Sequence, residues 1–260
     1  MQIASPMNRG LFQKAIAQSG ALGGGIADYP SLEQAQQDGE NFLRYLGAAS
    51  IADARAIPAR ELMDRTLAYT GHRWGPAIDG TFLPVSPMRA IAEGICNDVS
   101  LMAGNTVDEV RAFQLGNSVA EFQENARRLY GDAAKDFLHA AGIATDEQLA
   151  AYYRSPAFSI FEKGNAFAAR CFSRAGRKPP YLYRFHPQIP GDDAGSFHSS
   201  DLWFVFETLA KCWRPFQGKH YDLARRMCNY WTNFARSGDP NGNDNDGCPM
   251  PRWLPASEED

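Results

Sequence analysis

Apolar positions along this chain fall into two periods, and each period predicts a different kind of element. Over residues 222–234, Leu223, Met227, Tyr230, Trp231 and Phe234 recur at i, i+4, i+7, i+8 and i+11, which gathers them into one stripe of a helix. The pattern stops at the run SGDPNG, residues 237–242, a cluster of residues that end helices and favour turns. The helical period also covers 31–46, 120–130, 145–153 and 158–175. Two shorter runs, DVSLMA at 98–103 and PYLYRF at 180–185, are apolar and bounded by turn residues, as expected of central strands in a sheet covered on both faces. Almost everything from about 110 to 178 is helical, with a strand on either side. The expectation is an α/β fold with a large helical insertion between two strands of one sheet, and no internal repeat or low-complexity segment.

Composition narrows the function without naming it. The chain has 260 residues, 44% hydrophobic and 22% charged, enough for one sizeable domain or two small ones. A net charge of −4 argues against nucleic acid as a partner, because phosphate binding needs a surplus of Lys and Arg. No apolar run reaches the length that spans a bilayer. The opening MQIASPMNRG lacks a basic stretch followed by an apolar one, so no signal peptide is expected in it. The five cysteines, Cys96, Cys171, Cys212, Cys228 and Cys248, form no C-x-x-C pair. They read mainly as reduced thiols with no metal site, and a disulfide among the last three stays open.

Chemistry enters at two strand-to-loop junctions. In GSFHSSDLWFVF, residues 195–206, His198 follows a strand and a loop rich in Pro, Gly and Asp, and precedes a helix-like, aromatic run. Such a histidine can be an ordinary polar residue. In open α/β sheets, however, functional groups gather beyond the carboxyl ends of strands, and an imidazole there can act as general base. In LMAGNTVDEVRAF, residues 101–113, Asp108 and Glu109 follow a strand in the same way. Acids at a helix start can be there for dipole reasons alone, worth ~0.3–1 kcal/mol. An acid followed by a histidine, each at a strand end, is the chain order of α/β-hydrolases, whose nucleophile comes first.

Five stretches then carry a resemblance. SPMNRGLFQKAIAQSG, GPAIDGTFLP, LMAGNTVDEVRAF, FHSSDLWFVF and YWTNFARSGDPN occur in the order and with the wording of the type-B carboxylesterases, the family of cholinesterases and para-nitrobenzyl esterases, and they span almost the whole chain. The resemblance implies a partial α/β-hydrolase fold: residues 1–260 would be the C-terminal portion of one such domain, with the helical insertion at about 110–178. It also implies that Glu109 is the acid and His198 the base of a catalytic triad, with Ser19 and Asp108 supporting them. Trp203 reads first as a core residue, and the alternative is that it forms a wall of an acyl or alcohol pocket. The substrate implied is a small carboxylic ester, with no metal and no organic cofactor.

The same resemblance exposes a gap. The nucleophile of this family sits in a G-x-S-x-G turn, which occurs nowhere in the chain. The nearest approach, GNSVA at 116–120, follows a helical stretch, and its Ser118 reads as a helix N-cap. By the resemblance, the turn belongs about eight residues before Met1. The chain is therefore expected to lack the nucleophile, to be inactive alone, and to need an N-terminal half as a covalent or complementary partner. The alternative is an inactive esterase-like fragment or interaction module. The chain is expected to be a soluble protein, cytoplasmic or secreted. Left alone, a half-sheet with an open edge is expected to aggregate.

Overall fold

The computed structural model describes residues 1–20, 29–70, 74–109, 114–155 and 158–256. His72, the Gly23-Gly24-Gly25 run and the end of LMAGNTVDEVRAF lie outside the described residues. Two compact units emerge, residues 1–11 with 25–97, and residues 12–24 with 98–260.

The first unit is built from helices: α1 (Leu32–Leu46), α2 (Ile51–Ala56), α3 (Ala59–Ala68) and α4 (Pro87–Ala92). Ser31, Ser50 and Ser86 cap α1, α2 and α4, each hydroxyl accepting a first-turn amide. Asn97 ties the unit's end to its start by donating its side-chain amide to the Ser5 carbonyl at 2.9 Å. In the GPAIDGTFLP stretch the Asp79 carboxylate accepts the amides of Thr81 and Leu83 at 3.0 and 2.8 Å. Those bonds hold its pKa below the usual carboxylate value.

The second unit holds a three-stranded parallel sheet in the order β1 (Lys14–Gln18), β2 (Ser100–Thr106), β3 (Tyr181–Phe185). Lys14 pairs with Ser100 and Gln18 with Gly104, while Met102 pairs with Tyr181 and Thr106 with Phe185. Between β2 and β3 the described residues form α5 (Val119–Tyr130), α6 (Ala134–Ala141), α7 (Asp146–Arg154) and α8 (Ile160–Arg174), with no strand among them. Ser118 does cap α5, its hydroxyl accepting the Glu121 amide at 3.3 Å. After β3 come the short α9 (Leu202–Val205) and the long α10 (Gly218–Ser237). The apolar stripe of α10 packs on the sheet: Met227, Trp231 and Phe234 join Met102, Phe185, Phe204 and Leu209 in one buried core. A smaller cluster of Phe122, Leu149 and Tyr153 holds α5 to α7.

The strand expected at 98–103 runs on to Thr106. Gly-Asn reads locally as a turn, but burial overrides that tendency here: Asn105 and Thr106 are fully enclosed. Gly104 is required by spacing, since a Cβ there would sit 2.2 Å from the Tyr183 ring and 2.3 Å from its carbonyl oxygen. The five cysteines are free thiols. Among the described residues, no helix is long and apolar enough to cross a membrane.

Candidate active site

Because the three strands are parallel, their carboxyl ends share one edge of the sheet. Ser19 directly follows β1, Glu109 follows β2, and the loop after β3 brings His198 back to meet them. Ser19 has a left-handed backbone, φ +53°, unusual for a residue with a side chain. Its amide donates to the Gly104 carbonyl at 2.7 Å, which extends the ladder by one bond. Its hydroxyl turns to Glu109.

Glu109 is the best-provided group of the site. Its side chain is 1% exposed. One carboxylate oxygen, Oε2, accepts the Ser19 hydroxyl at 2.7 Å, the Thr106 amide at 2.9 Å and the Thr106 hydroxyl at 2.9 Å. The other oxygen, Oε1, faces Nδ1 of His198. A buried carboxylate with three donors on one oxygen is fixed in position and offers the second to a single partner. The His198 side chain, by contrast, is 65% exposed. With Nδ1 engaged by the carboxylate, Nδ1 carries the proton in the neutral ring, and Nε2 is the atom left to exchange protons with something outside.

Asp108 does different work from its neighbour. Its amide donates to the Ser196 carbonyl at 3.0 Å, and its carboxylate accepts the Ser196 amide at 2.8 Å. Asp108 therefore grips the histidine loop two residues before His198. Gly195 is held close enough that a Cβ would meet the Asp108 carboxylate at 2.2 Å, and its φ is +67°. A second clasp holds the start of the loop: Arg214 donates to the Pro190 carbonyl and to both carboxylate oxygens of Asp192, at 2.7 to 2.8 Å. Trp203 packs edge-on against Phe197 and Phe216, with the Arg214 guanidinium 6.0 Å above its ring.

A half-buried polar chain with no signature in the sequence runs through Gln18, the neighbour of Ser19. Trp231 donates its indole N–H to Gln18 at 3.2 Å, Gln18 donates to Asp201 at 2.9 Å, and the Tyr183 hydroxyl donates to the same Asp201 oxygen at 3.1 Å. Burial pushes the Tyr183 pKa far above the ordinary phenol value, and the negative Asp201 adds to it. This chain ties β1, β3, the start of α9 and α10 together through Gln18, the residue before Ser19, and Asp201, three residues after His198. Sequence gave no lead to it, nor to Thr106, because each partner lies far along the chain or is a common residue in a strand. His220 plays no part in the site. It lies in the first turn of α10, accepting the Gln217 amide at 2.9 Å and donating to the Gln188 carbonyl at 3.1 Å.

The model of the carboxylesterase family matches residues 1–260. The para-nitrobenzyl esterase of Bacillus subtilis is 29% identical over 260 residues, taking in 92% of this chain and 50% of the relative. Carboxylesterase 5A of Felis catus is 30% identical, over 99% of this chain and 52% of the relative. Among solved structures, a carboxylesterase from Geobacillus stearothermophilus superposes with a TM-score of 0.69 at 27% identity, over 99% of this chain and 55% of that one. A thermophilic PNB esterase superposes at 0.71 with 24% identity, over 99% of this chain and 54% of that one. The chain thus spans about half the length of the relatives it matches, and its architecture is that of part of an α/β-hydrolase.

Proposed function

This chain belongs to the carboxylesterase family, and from that premise we propose that it supplies the acid and the base of a serine esterase. The observation that carries the reading is the buried, triply donated Glu109 carboxylate set against Nδ1 of His198. A serine hydroxyl attacks the carbonyl of a small carboxylic ester while Nε2 of His198 takes its proton. The imidazolium, stabilised by Glu109, then returns that proton to the departing alcohol. Water repeats the sequence on the acyl-enzyme and releases the acid. Ser19 and Thr106 keep the carboxylate in place, and Asp108 keeps the histidine loop in place. Trp203 is proposed as one wall of the acyl or alcohol pocket.

The serine itself comes from residues other than these 260, because no G-x-S-x-G occurs among them. Donors to the oxyanion, each worth ~2.7–4 kcal/mol of transition-state stabilisation, come from the same source. The test is His198→Ala in the complete enzyme, assayed on an aryl ester. Its kcat is expected to fall on the order of 10⁴-fold or more, with KM little changed. A kcat near that of the parent enzyme would sink the assignment.

A further inference from the structure

The loop that delivers His198 has no secondary structure to hold it: from Pro190 to Phe197 the backbone belongs to neither helix nor strand. Its geometry rests on side-chain tethers, and one of them is unusually elaborate. The Arg214 side chain is only 6% exposed, while that of its partner Asp192 is 40% exposed. The guanidinium meets Asp192 through both of its terminal nitrogens and also bonds the Pro190 carbonyl. Its central carbon lies over aromatic rings, 4.8 Å from the Trp213 centroid and 5.1 Å from that of Phe197. Phe197 directly precedes His198. One cation therefore grips both ends of the loop, the turn at 190–192 by hydrogen bonds and the residue before the histidine by its place over the ring.

This arrangement is a poor way to gain stability. Burying a guanidinium costs solvation that a half-exposed carboxylate returns only in part. Among the described residues, Nε of Arg214 is buried without a hydrogen-bond partner, which adds to that cost. What the fork and the flat stacking face do supply is geometric definition, which an apolar side chain or an ammonium cannot match.

We propose that the Arg214–Asp192 clasp is a positioning device for His198, fixing the loop so that the imidazole stays in register with Glu109. The proposal rests on the reading of His198 as the base of the triad. Arg214 touches neither the imidazole nor a substrate; it acts through Pro190, Asp192 and Phe197. The clasp holds residues 190–192 and Phe197, and the Asp108–Ser196 pair holds the loop two residues before the histidine.

The test uses the complete esterase, with p-nitrophenyl acetate as substrate, and three variants: R214K, D192N and, as a control on the site itself, H198A. The second readout is the downfield proton resonance of His198 Nδ1–H, identified as the one that disappears in H198A. Lysine keeps the charge but loses the fork and the stacking face, so a role in charge alone would be rescued by R214K. Expected for R214K and D192N is a drop in kcat of about 10²-fold, the loss that accompanies a displacement of roughly 1 Å. KM should hold, and the resonance should broaden or move upfield in protein that remains folded by circular dichroism. If R214K does not fold, D192N, which alters the more exposed partner without changing its shape, carries the test. Parental kcat and an unmoved resonance in the folded variants would overturn the proposal, as would a loss of activity that only tracks the unfolded fraction. Parental kcat in H198A would instead bring down the reading of the site, and the proposal with it.

Discussion

Tyr183 places its hydroxyl against the buried Asp201 carboxylate, and burial first, then that charge, hold its pKa well above the ordinary value. The consequence for stability has a definite sign. In the unfolded chain a tyrosine ionises at about pH 10. In the folded protein Tyr183 stays protonated at that pH. Above it the unfolded state binds fewer protons, so stability falls as pH rises, by at most ~1.4 kcal/mol per pH unit from this one group. Tyr183→Phe should therefore flatten the alkaline decline in urea-unfolding free energy between about pH 10 and 11, while costing ~1–2 kcal/mol at neutral pH through the lost hydrogen bond. An unchanged alkaline slope would count against it. Glu109 and His198 were legible as residues because each follows a strand and resembles a family motif. Tyr183, Gln18 and Asp201 were not, since an aromatic in a strand or an acid before a helix has many ordinary explanations. Only the parallel pairing makes them neighbours, over sequence separations of 18 and 183 residues.

Among the elements, α10 was the clearest in the sequence, and its stripe is the one that covers the sheet. α9 falls in the helix-like run expected after His198, but its four residues inside an aromatic run carry no period that would set its bounds. β1 escaped for a related reason: five residues, all half-buried, with Lys and Gln at the ends, show no contrast between faces. α3 leaves Met63 and Leu67 exposed, so its apolar positions do not mark a core face. The spacing of β2 against β3 gives a sharper prediction. Gly104→Ala would drive a methyl group into the carbonyl and ring of Tyr183, and backbone cannot yield as a flexible side chain can. It should cost at least about 3 kcal/mol in urea unfolding. A loss below roughly 1 kcal/mol would mean that the two strands can move apart freely.

For the molecule as a whole, the family was readable from five ordered stretches, while the physical pattern alone reached an α/β sheet with helices between its strands and an acid and a histidine at two strand ends. The absence of G-x-S-x-G carries a prediction that belongs at this scale. The 260 residues purified alone should hydrolyse p-nitrophenyl acetate no faster than their H198A variant. Adding a polypeptide that carries the serine turn of a carboxylesterase should create a difference between the two. A difference already present in the purified chain would show that one of its own serines is the nucleophile.

The parallel register described above also works as a ruler. Ser19 reaches Glu109 because Gln18 pairs with Gly104, and Glu109 lies at the end of a strand whose last residue pairs with Phe185. Inserting one residue into β1 would carry Ser19 about 3.3 Å along the strand and turn its side chain to the opposite face. Inserting one into a connection between the helices from α5 to α8 would leave all three strand ends where they are. Changes in length are thus unequal in their effects: a gene can gain or lose codons across the helical excursion without touching the Glu109–His198 pair, but the five codons of β1 allow no such freedom.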